Sequence, residues 1–195
     1  MYTLYLDSSD KNMSIGITKD NVLIAHFHGK AWQKQSELMT KVLDDLFFDN
    51  KINPKNIKEI VVGIGPGSYT GVRIALTIAK VFAFSLNIPI YPISSLRLLA
   101  DFDKPSICII NARSERSYVG VYNKEEIILN DSIIKNEQVL TYIKEHPEFI
   151  LRGDILHLGM KQEVKSPIET MIKLRPFLKE AEDILTIKPC YMKEL

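Results

Sequence analysis

Residues 60–99 read IVVGIGPGSYTGVRIALTIAKVFAFSLNIPIYPISSLRLL, and their punctuation sets the architecture. The apolar run 60–64 reads as a buried strand. It enters a glycine-rich turn, Gly65-Pro66-Gly67-Ser68-Tyr69-Thr70-Gly71. A helix apolar around most of its circumference is expected over 72–86, and a second short strand over 88–92. In strand–turn–helix units of this kind, backbone N–H groups at the helix start attract anions.

The turn fails the usual phosphate-loop tests. A Walker A loop needs Gly-Lys-Ser/Thr, whereas Gly71 is followed by Val72-Arg73. The dinucleotide fingerprint also fails, because the glycine after Gly65 and Gly67 comes one residue late, at Gly71. Ser68 sits at the wrong place between its glycines for a nucleophile elbow. Two readings stay open: an anion cradle with hydroxyls from Ser68 and Thr70, or a sharp turn packing a helix close to its strand.

The helix is more telling. Its only clearly polar stripe is Arg73, Thr77 and Lys80, on one side. Ala75, Ala79 and Ala83 recur at every fourth position as a flat strip, beside Val72, Leu76, Phe82 and Leu86. A helix covering one sheet face needs an apolar arc of roughly 100°, and this one has more. Either it is sandwiched within its own domain, or the surplus face meets another subunit, the alanine strip admitting a second helix closely. On the second reading the interface is Val72, Ala75, Leu76, Ala79, Phe82 and Ala83, with Leu38 and Val42 from the preceding helix. Anchors such as Leu76 and Phe82 then contribute about 1.5–3 kcal/mol each if fully buried.

Upstream, strands are expected over 3–6, 14–18 and 22–27, a meander with turn residues Lys19-Asp20-Asn21. A helix capped by Ser36 comes next, with Leu38, Met39, Val42, Leu43, Leu46 and Phe47 at helical spacing, until Asn53-Pro54 breaks it. Composition shifts near 101–105, which divides the chain into units 1–103 and 104–195. The second unit has strands over 106–110, 118–122 and 126–129, a helix over 137–144 and a strand over 149–151. A last helix opens at Ser166-Pro167 and is split at Pro176; the C-terminal segment is expected to pack back on the first unit. Leu6-Asp7-Ser8-Ser9 leading to Gly16 resembles Ile110-Asn111-Ala112-Arg113 leading to Gly120, Asp7 and Asn111 falling at one offset. Such a duplicated strand-meander-plus-helix unit has the outline of the α/β ribonuclease H-like fold shared by actin, Hsp70 and sugar kinases. In ATP-binding members an Asp at the Asp7 place precedes a glycine-containing phosphate loop; here Asp7-Ser8-Ser9-Asp10-Lys11-Asn12 has none.

The 195 residues suffice for a sizeable core, with 46% hydrophobic and 25% charged residues. A net charge of +1 gives no global field for nucleic acid or membrane. Cys108 and Cys190 lack paired spacing and read as reduced thiols in a cytoplasmic protein. The N-terminus carries no signal-peptide pattern, and the helix over 72–86 is too short for a bilayer. His26, His28, His146 and His157 form no His-x-x-x-His pair, and no metal site is expected.

These residues carry a resemblance. The run 65–74, then Ala79-Lys80, Ile88-Pro89 and Ser94-Ser95-Leu96, resembles the signature of the TsaB (YeaZ) family. Asp7-Ser8-Ser9, Gln35-Ser36-Glu37-Leu38, Asn111-Ala112-Arg113 and Pro189-Cys190-Tyr191-Met192-Lys193 fall at matching elements. The likeness is specific over 63–96 and loose after about 121. It implies a subunit needed for N6-threonylcarbamoyladenosine beside the anticodon of tRNAs reading codons that start with A. The implied catalytic partner is the paralogue TsaD, which carries the metal-binding histidines, and an ATPase, TsaE, joins the assembly. tRNA is met through the complex; family members alone often form a homodimer through the same surface, and for this chain monomer and homodimer both stay open. ATP and metal belong to the partners, and none is expected here. The loop residues Asp7, Ser8, Ser9, Gly65, Gly67 and Ser68 are then a vestigial nucleotide loop; the competing expectation is an ATPase or small-molecule kinase using them. Gln35 stands where the family has His, Asn111 replaces an Asp, and the second unit is trimmed.

Overall fold

The computed structural model describes residues 1–31, 34–161 and 165–192; Lys193 of the C-terminal match lies outside them. Strands β1 (Tyr2–Asp7), β2 (Asn12–Lys19) and β3 (Val22–Lys30) form an antiparallel meander. Helix α1 (Gln35–Asp49) then returns the chain so that β4 (Ile57–Gly63) lies parallel to β1. Helix α2 (Tyr69–Leu86) does the same for β5 (Ile90–Ile93). A parallel pair needs such a crossover, and the sheet order is β3-β2-β1-β4-β5.

The second sheet repeats the plan. Strands β6 (Ser106–Arg113), β7 (Arg116–Asn123) and β8 (Glu126–Lys135) form a meander, helix α3 (Asn136–Glu145) crosses over, and β9 (Ile150–Gly153) pairs parallel with β6. Its order is β8-β7-β6-β9. Strand β8 runs well past the four residues expected, because Ser132, Ile133 and Ile134 go on pairing with β7.

Alternation along the central strands splits the first unit's core in two. Leu4, Leu6, Ile60 and Val62 face α1 and α2, while Tyr5 and Val61 face the other way. Onto that second face comes helix α4 (Ile168–Leu174) from the C-terminal part of the chain, burying Ile168, Met171 and Leu174. Gly16 on β2 makes room: a Cβ there would lie 2.7 Å from Ile168 Cγ2. Pro176 ends α4 in a 3₁₀ turn, Arg175–Phe177. Arg175 pairs with the buried Glu59, whose other oxygen accepts from Thr3 Oγ1 at 2.7 Å, and its guanidinium lies 3.4 Å from the Tyr91 ring centre. Further links bind the units at their hinge: Ser94 to Asp131, Arg97 to the Glu125 carbonyl, and Thr170 Oγ1 to the Ala100 carbonyl at 3.1 Å.

Three sequence expectations need correction. Ser36 is not a cap: α1 starts at Gln35, and its first turn has no side-chain cap. Helix α2 starts at Tyr69 rather than 72, because Ser68 caps it by accepting the Gly71 N–H at 3.2 Å. At 18 residues it reaches the length and apolarity of a membrane span, so shortness no longer argues against one. What does is packing: one face lies on the sheet and the other carries Arg73 and Thr77. Finally, Asn111 is not the counterpart of Asp7. Gly16 pairs with Tyr5 and Gly120 with Cys108; two residues on, Ile110 takes the place of Asp7. One step in register puts Asn111 on the opposite face, where its side chain accepts the Arg113 N–H at 2.8 Å.

Candidate functional site

The two units face each other across a cleft of about 360 Å³. Asp7 lines it from the end of β1 with Ser9 just beyond, Ile110 from within β6, and Asp101 and Asp103 from the hinge. Asp7 is buried. Its Oδ2 accepts from Ser9 Oγ at 3.0 Å and from Ser9 N at 3.4 Å, and its Oδ1 from Ser95 Oγ at 3.4 Å. Burial pushes the carboxyl up to about 6; the Ser9 bonds oppose this and Asp10 adds to it. The cations lining the cleft already face carboxylates: Arg152 meets Asp101 at 2.8 Å, Lys165 meets it at 3.6 Å, and Lys173 meets Asp103 at 3.6 Å. Asp10, Asp154 and Glu169 add further negative charge, so a phosphate entering here meets an unfavourable field.

The glycine turn lies beside Asp7, and its groups are engaged by the chain itself. Ser68 N–H donates to the Ser9 carbonyl at 2.7 Å, and Gly65 N–H to Ser95 Oγ at 3.0 Å. A Cβ on Gly67 would lie 2.3 Å from Ser9 O, and one on Gly71 1.8 Å from Ser8 O. The close approach that a phosphate loop offers its ligand is therefore occupied by the 7–9 loop. Ser8 is fully buried. The structure thus brings Asp7, Ser8, Ser9, Gly65, Gly67 and Ser68 together, as a helix seat. Among the described residues, no group of three His, Cys, Asp or Glu side chains is placed to hold a metal ion.

The other candidate surface is the outside of α1 and α2, where the expected interface is corrected. Val72, Ala75, Leu76, Ala79 and Ala83 all lie within the first unit's own packing; Ala75, Ala79 and Ala83 are 0% exposed. The alanine strip does permit close approach, but what approaches is the sheet of its own domain. Phe82 is half-buried and stacks on Phe47 of α1 with ring centres 6.1 Å apart. Leu38 and Val42 are half-buried against the same core. Solvent instead meets Arg73, Thr77, Val81 and Phe84, Val81 being 58% and Phe84 71% exposed. Phe48 on α1 is 82% exposed. Val81 and Phe84 were missed, although a signal existed: Val81 continues the Arg73–Thr77 stripe by four residues.

At the start of α2 this surface holds a groove between Ser36 and Thr40 of α1 and Thr70, Ile74, Thr77 and Ile78 of α2. The C-terminal segment borders α2. Cys190 N–H donates to the Ile64 carbonyl at 2.7 Å, Lys80 Nζ donates to the Leu185 carbonyl at 2.9 Å, and Tyr191 stacks on Tyr69 at 5.2 Å.

Two like strand units facing one cleft define the class: a duplicated ribonuclease H-like fold of the actin, Hsp70 and sugar-kinase kind. The family model described as TsaD, tRNA N6-adenosine threonylcarbamoyltransferase, matches residues 29–170. The tRNA threonylcarbamoyladenosine biosynthesis protein TsaB of Bacillus subtilis is 32% identical, over 99% of this chain and 94% of that protein. The TsaB of Escherichia coli is 25% identical over 83% and 67%. YeaZ from Pseudomonas aeruginosa superposes with a TM-score of 0.82 at 20% identity, over 97% of this chain and 99% of that one, a likeness of fold. The chain belongs to the TsaB (YeaZ) family.

Proposed function

We propose that this chain is a non-catalytic subunit that pairs with TsaD through the outer face of α2 and the adjoining part of α1. It takes part in tRNA threonylcarbamoyladenosine biosynthesis, the process named for its relatives. TsaD carries out the transfer with its own metal, TsaE joins the assembly with ATP, and tRNA is met through the complex in the cytoplasm. Without TsaD, the same face joins two copies of this chain.

One observation carries the reading. Helix α2 packs the sheet on its inner side and still exposes Val81 and Phe84, with Phe48 exposed on its neighbour. Covering such side chains gains about 1.5–3 kcal/mol each. The test is calorimetric titration of TsaD into Phe84→Asp. Binding is expected to weaken at least tenfold, roughly 1.4 kcal/mol, with the melting temperature unchanged; wild-type affinity would overturn the reading. Ala79→Glu is no substitute, since Ala79 is fully buried and its variant fails by unfolding.

A second reading has one observation in its favour: Asp7, a buried carboxyl with a raised pKa, lines the cleft. It makes the chain an ATPase or small-molecule kinase working through Asp7 and the Gly65–Gly67 turn. It requires ATP turnover by the purified chain that collapses in Asp7→Asn. On the scaffold reading the two proteins give the same background.

A further inference from the structure

We infer that the partner surface covering α2 presents a carboxylate side chain to Arg73. The inference rests on the docking reading above and adds the chemistry that the partner must bring.

Arg73 lies in the exposed stripe that continues into Thr77 and Val81. Its guanidinium carbon sits 4.1 Å from the centre of the Tyr69 ring and 5.8 Å from that of Tyr191. Its Nε donates to Tyr191 Oη at 2.6 Å. The two rings stack on each other, so a side chain from α2 is fixed by one residue of its own helix and one of the C-terminal segment. Holding a long cation in place beforehand removes part of the ordering cost of binding. With Nε engaged, the two terminal nitrogens remain as the end of the fork that matches a planar carboxylate.

Tyr69 and Tyr191 hold the guanidinium through their rings and hydroxyls. Among the described residues no carboxylate lies within ion-pair distance of Arg73. The adjoining groove offers hydroxyls from Ser36, Thr40, Thr70 and Thr77 over Ile74 and Ile78, with no acid in its lining. A partner covering Val81 and Phe84 would also remove water from Arg73 on the same stripe. Leaving the charge there unpaired would offset several kcal/mol of the gain from the apolar contacts. A partner that fits therefore brings an Asp or Glu to that end of the helix.

The test titrates TsaD into wild type, Arg73→Met, Arg73→Lys, Tyr191→Phe and Phe84→Asp, each at low and high salt. Arg73→Met is expected to bind about tenfold more weakly and to lose the wild type's weakening with salt. Arg73→Lys keeps the salt dependence and loses affinity, because it lacks the fork. Tyr191→Phe weakens binding a few-fold, about the worth of one hydrogen bond. Loss of binding in Arg73→Glu, restored by one Asp- or Glu-to-Arg change on TsaD, identifies the carboxylate. If Phe84→Asp loses TsaD while Arg73→Met binds like wild type with the same salt dependence, the carboxylate is overturned and the docking surface stands. If both variants bind like wild type, the docking reading falls with it. Inorganic phosphate giving heat with wild type but none with Arg73→Met would overturn the proposal by assigning Arg73 to a free anion.

Discussion

The two units share one strand order and diverge after the fourth strand. After β4 the first unit turns at once into α2 and gains β5; after β9 the described residues of the second hold no helix on that sheet. Its chain leaves through 3₁₀ turn Leu156–Leu158 and delivers α4 to the first sheet instead. The first sheet is thus covered on both faces, by α1 and α2 outside and α4 inside, while α3 covers the second. The extra helix also exposes apolar side chains, Val81 and Phe84, beside Phe48 of α1. A duplicated fold has here become asymmetric by adding a helix, and that helix supplies the surface we assign to a partner.

The sharpest way to break the contrast is at the seat of α2. Gly71→Ala would ordinarily stabilise a helix by up to about 1 kcal/mol. Here the added methyl would lie 1.8 Å from Ser8 O, a backbone atom, so the 7–9 loop and the helix must part. We expect a net loss of about 3 kcal/mol in urea unfolding. In the second unit, Gly159 has nothing within 4 Å of its Cβ position, and only its φ of +77° opposes a side chain. Gly159→Ala should cost about 1 kcal/mol.

Asp7 and Ile110 occupy equivalent places and test the cleft. Burial keeps the Asp7 carboxyl protonated up to about 6 in the folded chain, against the usual 3.8. Between those values the unfolded chain has released a proton that the folded chain retains, so raising pH through this window lowers stability. Asp7→Asn removes the cost. A shift of this size, the opposing Ser9 bonds already included, is worth about 3 kcal/mol. The variant should be about 3 kcal/mol more stable than wild type at pH 8, the gap closing near pH 4. Ile110 contributes no such dependence. Urea unfolding across that range decides it; a gap independent of pH would show that Asp7 is ionised in both states.

Much of this asymmetry was legible in the sequence. Hydrophobic alternation and turn residues marked the meanders, and the strip at Ala75, Ala79 and Ala83 marked a close helix contact. What it did not reveal was the contacting object, because a small-residue strip suits a sheet of the same domain as well as a helix of another. The cleft was half legible. Asp7 stood at a strand end, but its supposed twin Asn111 was one residue off, since the two hairpins differ in turn length and period-two alternation turns one residue into a change of face. Tyr191 on Arg73 was illegible, as nothing local links residues so far apart in sequence.

Helix starts supply the smallest test. In the sequence Ser36 reads as a cap and Ser68 as a hydroxyl of the glycine turn; the structure reverses the two. Only Ser68 has extended backbone geometry, with its side chain accepting the Gly71 N–H; α1 begins one residue before Ser36, after Lys34, whose side chain makes no cap. Helix α3 in the second unit also starts without one, at Lys135. Ser68→Ala should therefore cost about 1 kcal/mol, whereas Ser36→Ala and Lys135→Ala should each stay within about 0.5 kcal/mol. Equal losses at Ser36 and Ser68 would mean that α1 frays back to a Ser36 start in solution. The groove floor at Ile74 and Ile78 would then have a different wall, because Ser36 is one of the α1 residues that line it.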